Sequence, residues 1–181
     1  MVARFAHEDS LAAVGTGDGY VKIYNLIKNS KMTEINTNVK DKESNNNTPV
    51  NALRWRPASE KIESVGTVLL AANTNGHIFQ LFAKTGKQIW HGVEADNQIF
   101  AIDYAHDGRH FATAGRDNII RIYDEETKKT SHDLKGELRH KSGHSNRIFS
   151  VRFKPDNPSI LVSGGWDQNV LLLRSRFIFG I

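Results

Sequence analysis

The 181-residue sequence contains no cysteine. Disulfides, cysteine metal sites and thiol catalysis are therefore excluded, and a reducing compartment is the expectation. No apolar run is long enough to span a membrane as a helix, so no membrane partner is expected. The opening residues, MVARFAHEDS, lack the apolar core of a secretory signal. An intracellular location follows as the expectation, cytoplasmic in the simplest case, with the nucleus and cytoskeletal assemblies left open. Without secretion the sequon Asn46-Asn47-Thr48 is expected to be idle. Charge of one sign is not concentrated either. There are 24 basic and 20 acidic residues, a net charge of +4. Lys28, Lys31, Lys128, Lys129, Lys135, Arg139 and Lys141 are scattered over presumed outer strands and loops. With no basic helix and no RNA-binding motif, nucleic acid is not an expected partner.

What the chain does have is a repeat. Four short apolar segments align, ending at Phe5, Trp55, Tyr104 and Phe153, which lie 50, 49 and 49 positions apart. Each is followed by a polar turn, a strand of small residues (LAAVGTGDG, LLAANTNG, FATAGRDN, LVSGGWDQ) and an alternating strand (YVKIYN, IFQLFA, IIRIYD, VLLLRS). Lys22 and Arg121 stand between apolar neighbours, which is the period of a half-buried strand rather than of a helix. The spacing matches the roughly 40–50 residues of a four-stranded propeller blade. The most complete unit, Gly143 to Arg174, adds a Gly-His pair at Gly143-His144 and a Gly-Gly-Trp-Asp turn at 164–167.

These motifs resemble the WD-repeat β-propeller family, strongly in the fourth repeat, well in the first and third, weakly in the second. The family's Trp-Asp ending is degraded here to Tyr24-Asn25, Phe82-Ala83, Tyr123-Asp124 and Leu173-Arg174. The resemblance implies an all-β propeller of about four four-stranded blades. It is read as a single domain over 1–181, with blades over about 1–37, 49–93, 94–138 and 139–181 and an exposed Asn-rich loop over 38–48. In blade two the third strand carries one residue more between turn and aromatic than its counterparts, which a β-bulge would absorb. The start in mid-blade at Ala3-Arg4-Phe5 and the apolar ending Phe177-Ile178-Phe179-Gly180-Ile181 suggest an incomplete or half propeller.

His144, Ser163 and Asp167 are the residue types of a hydrolase triad. The resemblance implies instead a buried hydrogen-bond network that fixes blade geometry, three-membered here because Leu173 holds the family's tryptophan position. In the third repeat Thr113 and Asp117 are kept, but Ala95 stands at the histidine position. His140 and His144 are separated by a loop-like Lys-Ser-Gly, so no metal site is expected. The glycines of VGTGDG precede no helix and are hairpin glycines rather than a phosphate cradle. Arg4, Arg54, Asp103 and Arg152 are the inner-strand candidates for a channel ligand. They form no converging set, so neither an enzyme, a cofactor nor a small-molecule substrate is expected.

The resemblance also points to a contact surface. In the family, the residues six and four places before the inner-strand aromatic, and the residue before the turn Asp, open onto the propeller's top face. These are Arg147, Phe149 and Trp166 in the fourth repeat, and Gln98, Phe100 and Arg116 in the third. The second gives Pro49 and Asn51, and the first only Gly17. Arg and large aromatics dominate interface hot spots. The expected function is a non-catalytic scaffold that binds other proteins within an assembly. The alternatives are a half-propeller that pairs with a second copy of itself, or a reader of RNA or of a peptide tail through the Arg/aromatic face.

Overall fold

The computed structural model describes residues 1–6, 10–39, 47–57, 67–135 and 143–174. Among them every extended element is a β-strand and there is no α-helix. The first blade comprises β1 (Val2–Phe5), β2 (Leu11–Gly15), β3 (Tyr20–Asn25) and β4 (Ser30–Asn36). The second comprises β5 (Val50–Trp55), β6 (Val68–Asn73), β7 (His77–Phe82) and β8 (Lys87–Val93). The third comprises β9 (Ile99–Tyr104), β10 (His110–Gly115), β11 (Ile120–Asp124) and β12 (Thr130–Leu134). The fourth comprises β13 (Ile148–Lys154), β14 (Asn157–Gly165) and β15 (Val170–Arg174). Strands pair antiparallel in chain order within each sheet. The all-β blade architecture is the one expected. Three sheets have four strands and the fourth has three among the described residues. His140, the apolar ending Phe177–Ile181 and the middle of the 38–48 loop lie outside the described residues.

Alternation decides the burial. In β3, Val21 and Ile23 are fully buried while Lys22 between them is not. Positive φ recurs at one place in each middle hairpin, at Gly19, Gly76, Asn118 and Gln168, and at one place in three outer hairpins, at Asn29, Gly86 and Lys128. These points put the blades in common register. They also correct the reading of blade two. The β3–β4, β7–β8 and β11–β12 pairs all shift register at the same place, between Ile23 and Tyr24, Gln80 and Leu81, and Ile122 and Tyr123. Blade two therefore carries no extra residue. Leu81 stands where Tyr24 and Tyr123 stand, and the aromatic Phe82 has moved one place on, to the position of Asn25 and Asp124.

The chain divides into two compact units, Met1–Asp96 with blades one and two, and Asn97–Ile181 with blades three and four. In the first unit, Ala13, Val21 and Ile23 of blade one pack against Val50, Leu53 and Trp55 of blade two. Space at this joint is tight: a Cβ added at Gly15 would lie 2.6 Å from Val50 Cγ1. Trp55 Nε1 also donates to the Arg4 carbonyl at 3.1 Å. In the second unit, Ala112, Ala114, Ile120 and Ile122 of blade three pack against Ile148, Val151 and Phe153 of blade four. Asp103 crosses this joint. Its Oδ2 accepts the Phe153 N–H at 2.7 Å and its Oδ1 lies 3.3 Å from Arg152 Nη1. The inner-strand candidates Asp103 and Arg152 thus tie two blades together.

Candidate functional site: an aromatic and arginine patch on the second unit

The inner strands place the patch through a shared irregularity. β5 skips a residue between Val50 and Ala52, β9 between Ile99 and Ala101, and β13 between Ile148 and Ser150. The skipped residues are Asn51, Phe100 and Phe149. A bulge removes one residue from the ladder and re-aims its side chain. Three of the predicted contact residues therefore leave the sheet for the same physical reason.

A second repeated feature joins the other two positions of each blade. The carbonyl that opens the inner strand accepts the N–H of the hairpin residue: Pro49 O from Thr74 N at 3.1 Å, Gln98 O from Arg116 N at 3.0 Å, Arg147 O from Trp166 N at 2.7 Å. These bonds set Gln98 beside Arg116 and Arg147 beside Trp166. They also place the hairpin position of blade two, which the misplaced aromatic obscured: it is Thr74. Gly17 holds the same position in blade one and is exposed, with open space around it.

On the second unit the side chains meet. The Phe100 and Phe149 rings stack with centroids 5.0 Å apart and planes 28° from parallel. Phe149 and Trp166 lie 5.7 Å apart at 56°. The Arg147 guanidinium carbon stands 5.7 Å from the Trp166 ring centroid, within cation–π range. The result is a continuous run of three rings with Arg147 above its end. Trp166 is 61% exposed and Phe149 47%. Phe100 and Gln98 are half-buried and Arg116 is exposed. Among the described residues neither Arg116 nor Arg147 is salt-bridged to a carboxylate; the nearby Asp117 is engaged at 2.6 Å by Arg121. The patch thus offers apolar area together with two arginines that no carboxylate among the described residues neutralises. Asn51, half-buried on its bulge, belongs to the first unit.

Beneath the patch of blade four lies the polar network. His144 Nδ1 is 2.9 Å from Asp167 Oδ1, and its Nε2 is 2.8 Å from Ser163 Oγ. An ionised carboxylate only accepts, so Nδ1–H donates to it, and in the neutral ring Nε2 accepts the Ser163 hydroxyl. Asp167 also accepts the N–H of Ser145 at 3.0 Å and of Asn169 at 3.2 Å. Burial alone would raise the Asp167 carboxyl. The Ser145 N–H, the His144 ring and the Asn169 N–H outweigh it and hold the group well below the usual carboxylate range. Ser163 is 1% exposed. Its hydroxyl is sealed in the blade and held by the His144 ring, as a satisfied buried network requires.

Blade three solves the same problem with another residue. Ala95, aligned with His144, is exposed. The place against the hairpin is taken by buried Asn97, whose Oδ1 accepts the Asp117 N–H at 3.2 Å. Asp117 Oδ1 accepts the Ile119 N–H as Asp167 accepts that of Asn169. Thr113, opposite Arg121 as Ser163 is opposite Leu171, is fully buried. The signal in the sequence is an Asn two residues before the strand, a residue type that competes for backbone N–H groups at such ends.

Two family models match the chain. One described as the anaphase-promoting complex subunit 4 WD40 domain covers residues 64–140, and one described as the WD domain, G-beta repeat, covers 136–172. Among curated proteins, histone acetyltransferase type B subunit 2 of Candida glabrata is 25% identical over 124 residues, 68% of this chain and 26% of that protein. Protein hir-1 of Neurospora crassa is 34% identical over 85 residues, 45% of this chain and 8% of its own length. The chain thus spans 26% of the length of the first of these relatives and 8% of the second. A chain in the crystal structure of the mitotic checkpoint complex superposes with a TM-score of 0.72 at 20% identity, over 90% of this chain and 43% of that one.

Proposed function

Because the chain belongs to the WD-repeat β-propeller family, we propose that it is a non-catalytic scaffold that holds a protein partner on the patch formed by Gln98, Phe100, Arg116, Arg147, Phe149 and Trp166. The observation that carries this reading is the ring run of Phe100, Phe149 and Trp166, left half in solvent with Arg147 over the indole. A soluble surface does not keep three large rings in contact without burying them unless something covers them. WD-repeat proteins commonly act as interaction scaffolds, and the names of several similar proteins place them in assemblies: a histone acetyltransferase subunit, an actin-interacting protein, and a chain of the mitotic checkpoint complex. The chemistry that fits the patch is a peptide segment with an apolar or aromatic side chain to lie against the rings and a carboxylate to meet Arg116 or Arg147.

The test is selection of a displayed random-peptide library on the purified protein. Peptides enriched on the native chain are expected to carry an acidic residue near an aromatic one. Trp166→Ala is expected to weaken their binding about 30-fold, as for an interface hot spot. Arg147→Ala is expected to weaken it about tenfold, with a smaller effect in high salt. Both side chains project from the blade, so the urea midpoint should stay close to that of the native chain. Peptides that bind equally well to Trp166→Ala, or a loss of fold on this substitution, would sink the reading.

A further inference from the structure

The outer strand of blade two is a sheet edge without the charges that the other outer strands carry. We propose that β8 pairs along this edge with an extended segment of a partner protein, β-branched in its middle and acidic toward its C-terminal end.

The ladders align the three outer strands residue by residue. Lys31, Glu34 and Asn36 of β4 hold the positions of Gln88, His91 and Val93 in β8, and Thr130 and Asp133 of β12 hold the first two of these. Charges on an edge strand keep other strands from adding to it. β4 carries the ion pair of Lys31 with Glu34 at 2.6 Å, and Asp133 of β12 meets Lys135 at 3.5 Å. From Gln88 to Val93, β8 has no acidic residue, lysine or arginine. The residue skipped at each outer bulge differs in the same sense. Met32 packs against the core and the Ser131 hydroxyl donates to the Ile122 carbonyl at 2.9 Å, but Ile89 is 50% exposed. Val93, where β4 has Asn36, is 57% exposed.

The backbone of this edge is held in place. The Glu94 N–H donates to the Gly76 carbonyl at 2.9 Å. By the alternation of an antiparallel ladder, Gly92 and Trp90 also bond to β7, and the N–H and C=O groups of His91 and Val93 point away from it. Among the described residues no strand pairs with β8 on that side. The flanking rings lie on the sheet faces. His91 stacks on Phe79 with centroids 4.8 Å apart and planes 6° from parallel, and its Nε2 is 2.9 Å from His77 Nδ1. The Trp90 indole lies over Gly92, where an added Cβ would run into it. Outward backbone donors and acceptors in a row are complementary to another extended backbone. Cross-strand contact with Ile89 and Trp90 favours β-branched residues in that backbone. Charge sets the rest of its chemistry. Lys84 and Lys87 are exposed at the start of β8. A strand adding antiparallel brings its C-terminal end beside Lys87, so an acidic residue belongs there.

The test scores the peptides selected from a displayed random library on the native chain for loss of binding to Ile89→Lys. A set of them is expected to weaken about fivefold, because the lysine supplies the charge that β8 lacks. These peptides should alternate β-branched residues with others and carry Asp or Glu on the C-terminal side. Val93→Pro removes an N–H that β7 does not use, in a position where an edge strand tolerates proline. It should weaken the same peptides about tenfold and leave the urea midpoint close to that of the native chain. Val93→Lys takes its place should the proline disturb β8. Synthetic copies N-methylated at the amides that face β8 should no longer bind, although their side chains are unchanged. Lys87→Glu should weaken them too, and less so in high salt. Trp166→Ala should leave their binding unchanged, which separates this edge from the patch of the second unit. The inference is overturned if no enriched peptide responds to Ile89→Lys, if the responding peptides bind Val93→Pro and Val93→Lys as they bind the native chain, or if N-methylation is without effect. A dimer by light scattering that Ile89→Lys breaks would give the edge to a second copy of the chain and overturn it as well.

Discussion

Asp167→Ala is expected to lower the stability of the second unit by about 3–4 kcal/mol. The carboxylate is enclosed, with a side-chain exposure of 3%, and it collects three donors: the Ser145 N–H, the Asn169 N–H and the His144 ring. Removing it leaves all three facing a void. His144 then loses the bond that orients it, and Ser163 loses a fixed acceptor. Asp167→Asn keeps the shape but turns one acceptor into a donor, so it should fall between the alanine variant and the native chain. Asp117→Ala is the internal control. The Asp117 side chain is 20% exposed, pairs with Arg121 at 2.6 Å and accepts the Ile119 N–H, so a smaller loss of about 1–2 kcal/mol is expected there. Urea unfolding of the three variants checks the order.

The same site sets a pH dependence whose sign follows from its direction. The Asp167 carboxyl is held below its ordinary value of 3.8 in the folded chain. A lowered folded value means that the unfolded state binds the proton first. The contribution is complete above the ordinary value and is lost as pH falls below it, toward the folded value. The stability difference between the native chain and Asp167→Ala should thus be full at neutral pH and shrink only in acid. A difference that grows as pH falls would contradict the assignment of the network.

Much of the fold was legible because strand periodicity is written one residue at a time. YVKIYN alternates, Val21 and Ile23 are buried, and no neighbour needs to be known. The contact positions were less legible because their geometry depends on pairing. That Asn51, Phe100 and Phe149 share a bulge is a property of the ladder between two strands, and neither strand alone encodes it. The stack of Phe100 on Phe149 crosses a blade joint and has no local signal. One alignment fails because aromatic identity is not register: Phe82 aligns with Tyr24 as an aromatic, whereas the ladder matches Leu81 to it. Ala95 does hold the register position of His144, but buried Asn97 reaches the hairpin from a different point of the chain, which spacing alone does not show.

Gly115→Ala is expected to be about as costly as the loss of Asp167, about 3 kcal/mol. An added Cβ would run into the Gln98 carbonyl oxygen and would lie 2.6 Å from Asn97 Oδ1. Neither neighbour yields easily. Gln98 O is held by the Arg116 N–H at 3.0 Å, and buried Asn97 is held by the Asp117 N–H at 3.2 Å. The clash is with backbone, not with the far end of a flexible chain, so relief means parting β9 from the β10–β11 hairpin. Gly17→Ala supplies the contrast. A Cβ there meets nothing within 4 Å, and the change should stay within about 0.5 kcal/mol. The consequence reaches the patch, because the bond that Gly115 permits is the one that sets Gln98 beside Arg116. A Gly115→Ala chain that still folds should therefore lose peptide binding through Arg116 while Trp166 and Arg147, held by their own bond in blade four, keep theirs. Urea midpoints of the two glycine variants, read together with binding of the selected peptides, separate a local displacement of blade three from a general loss of fold.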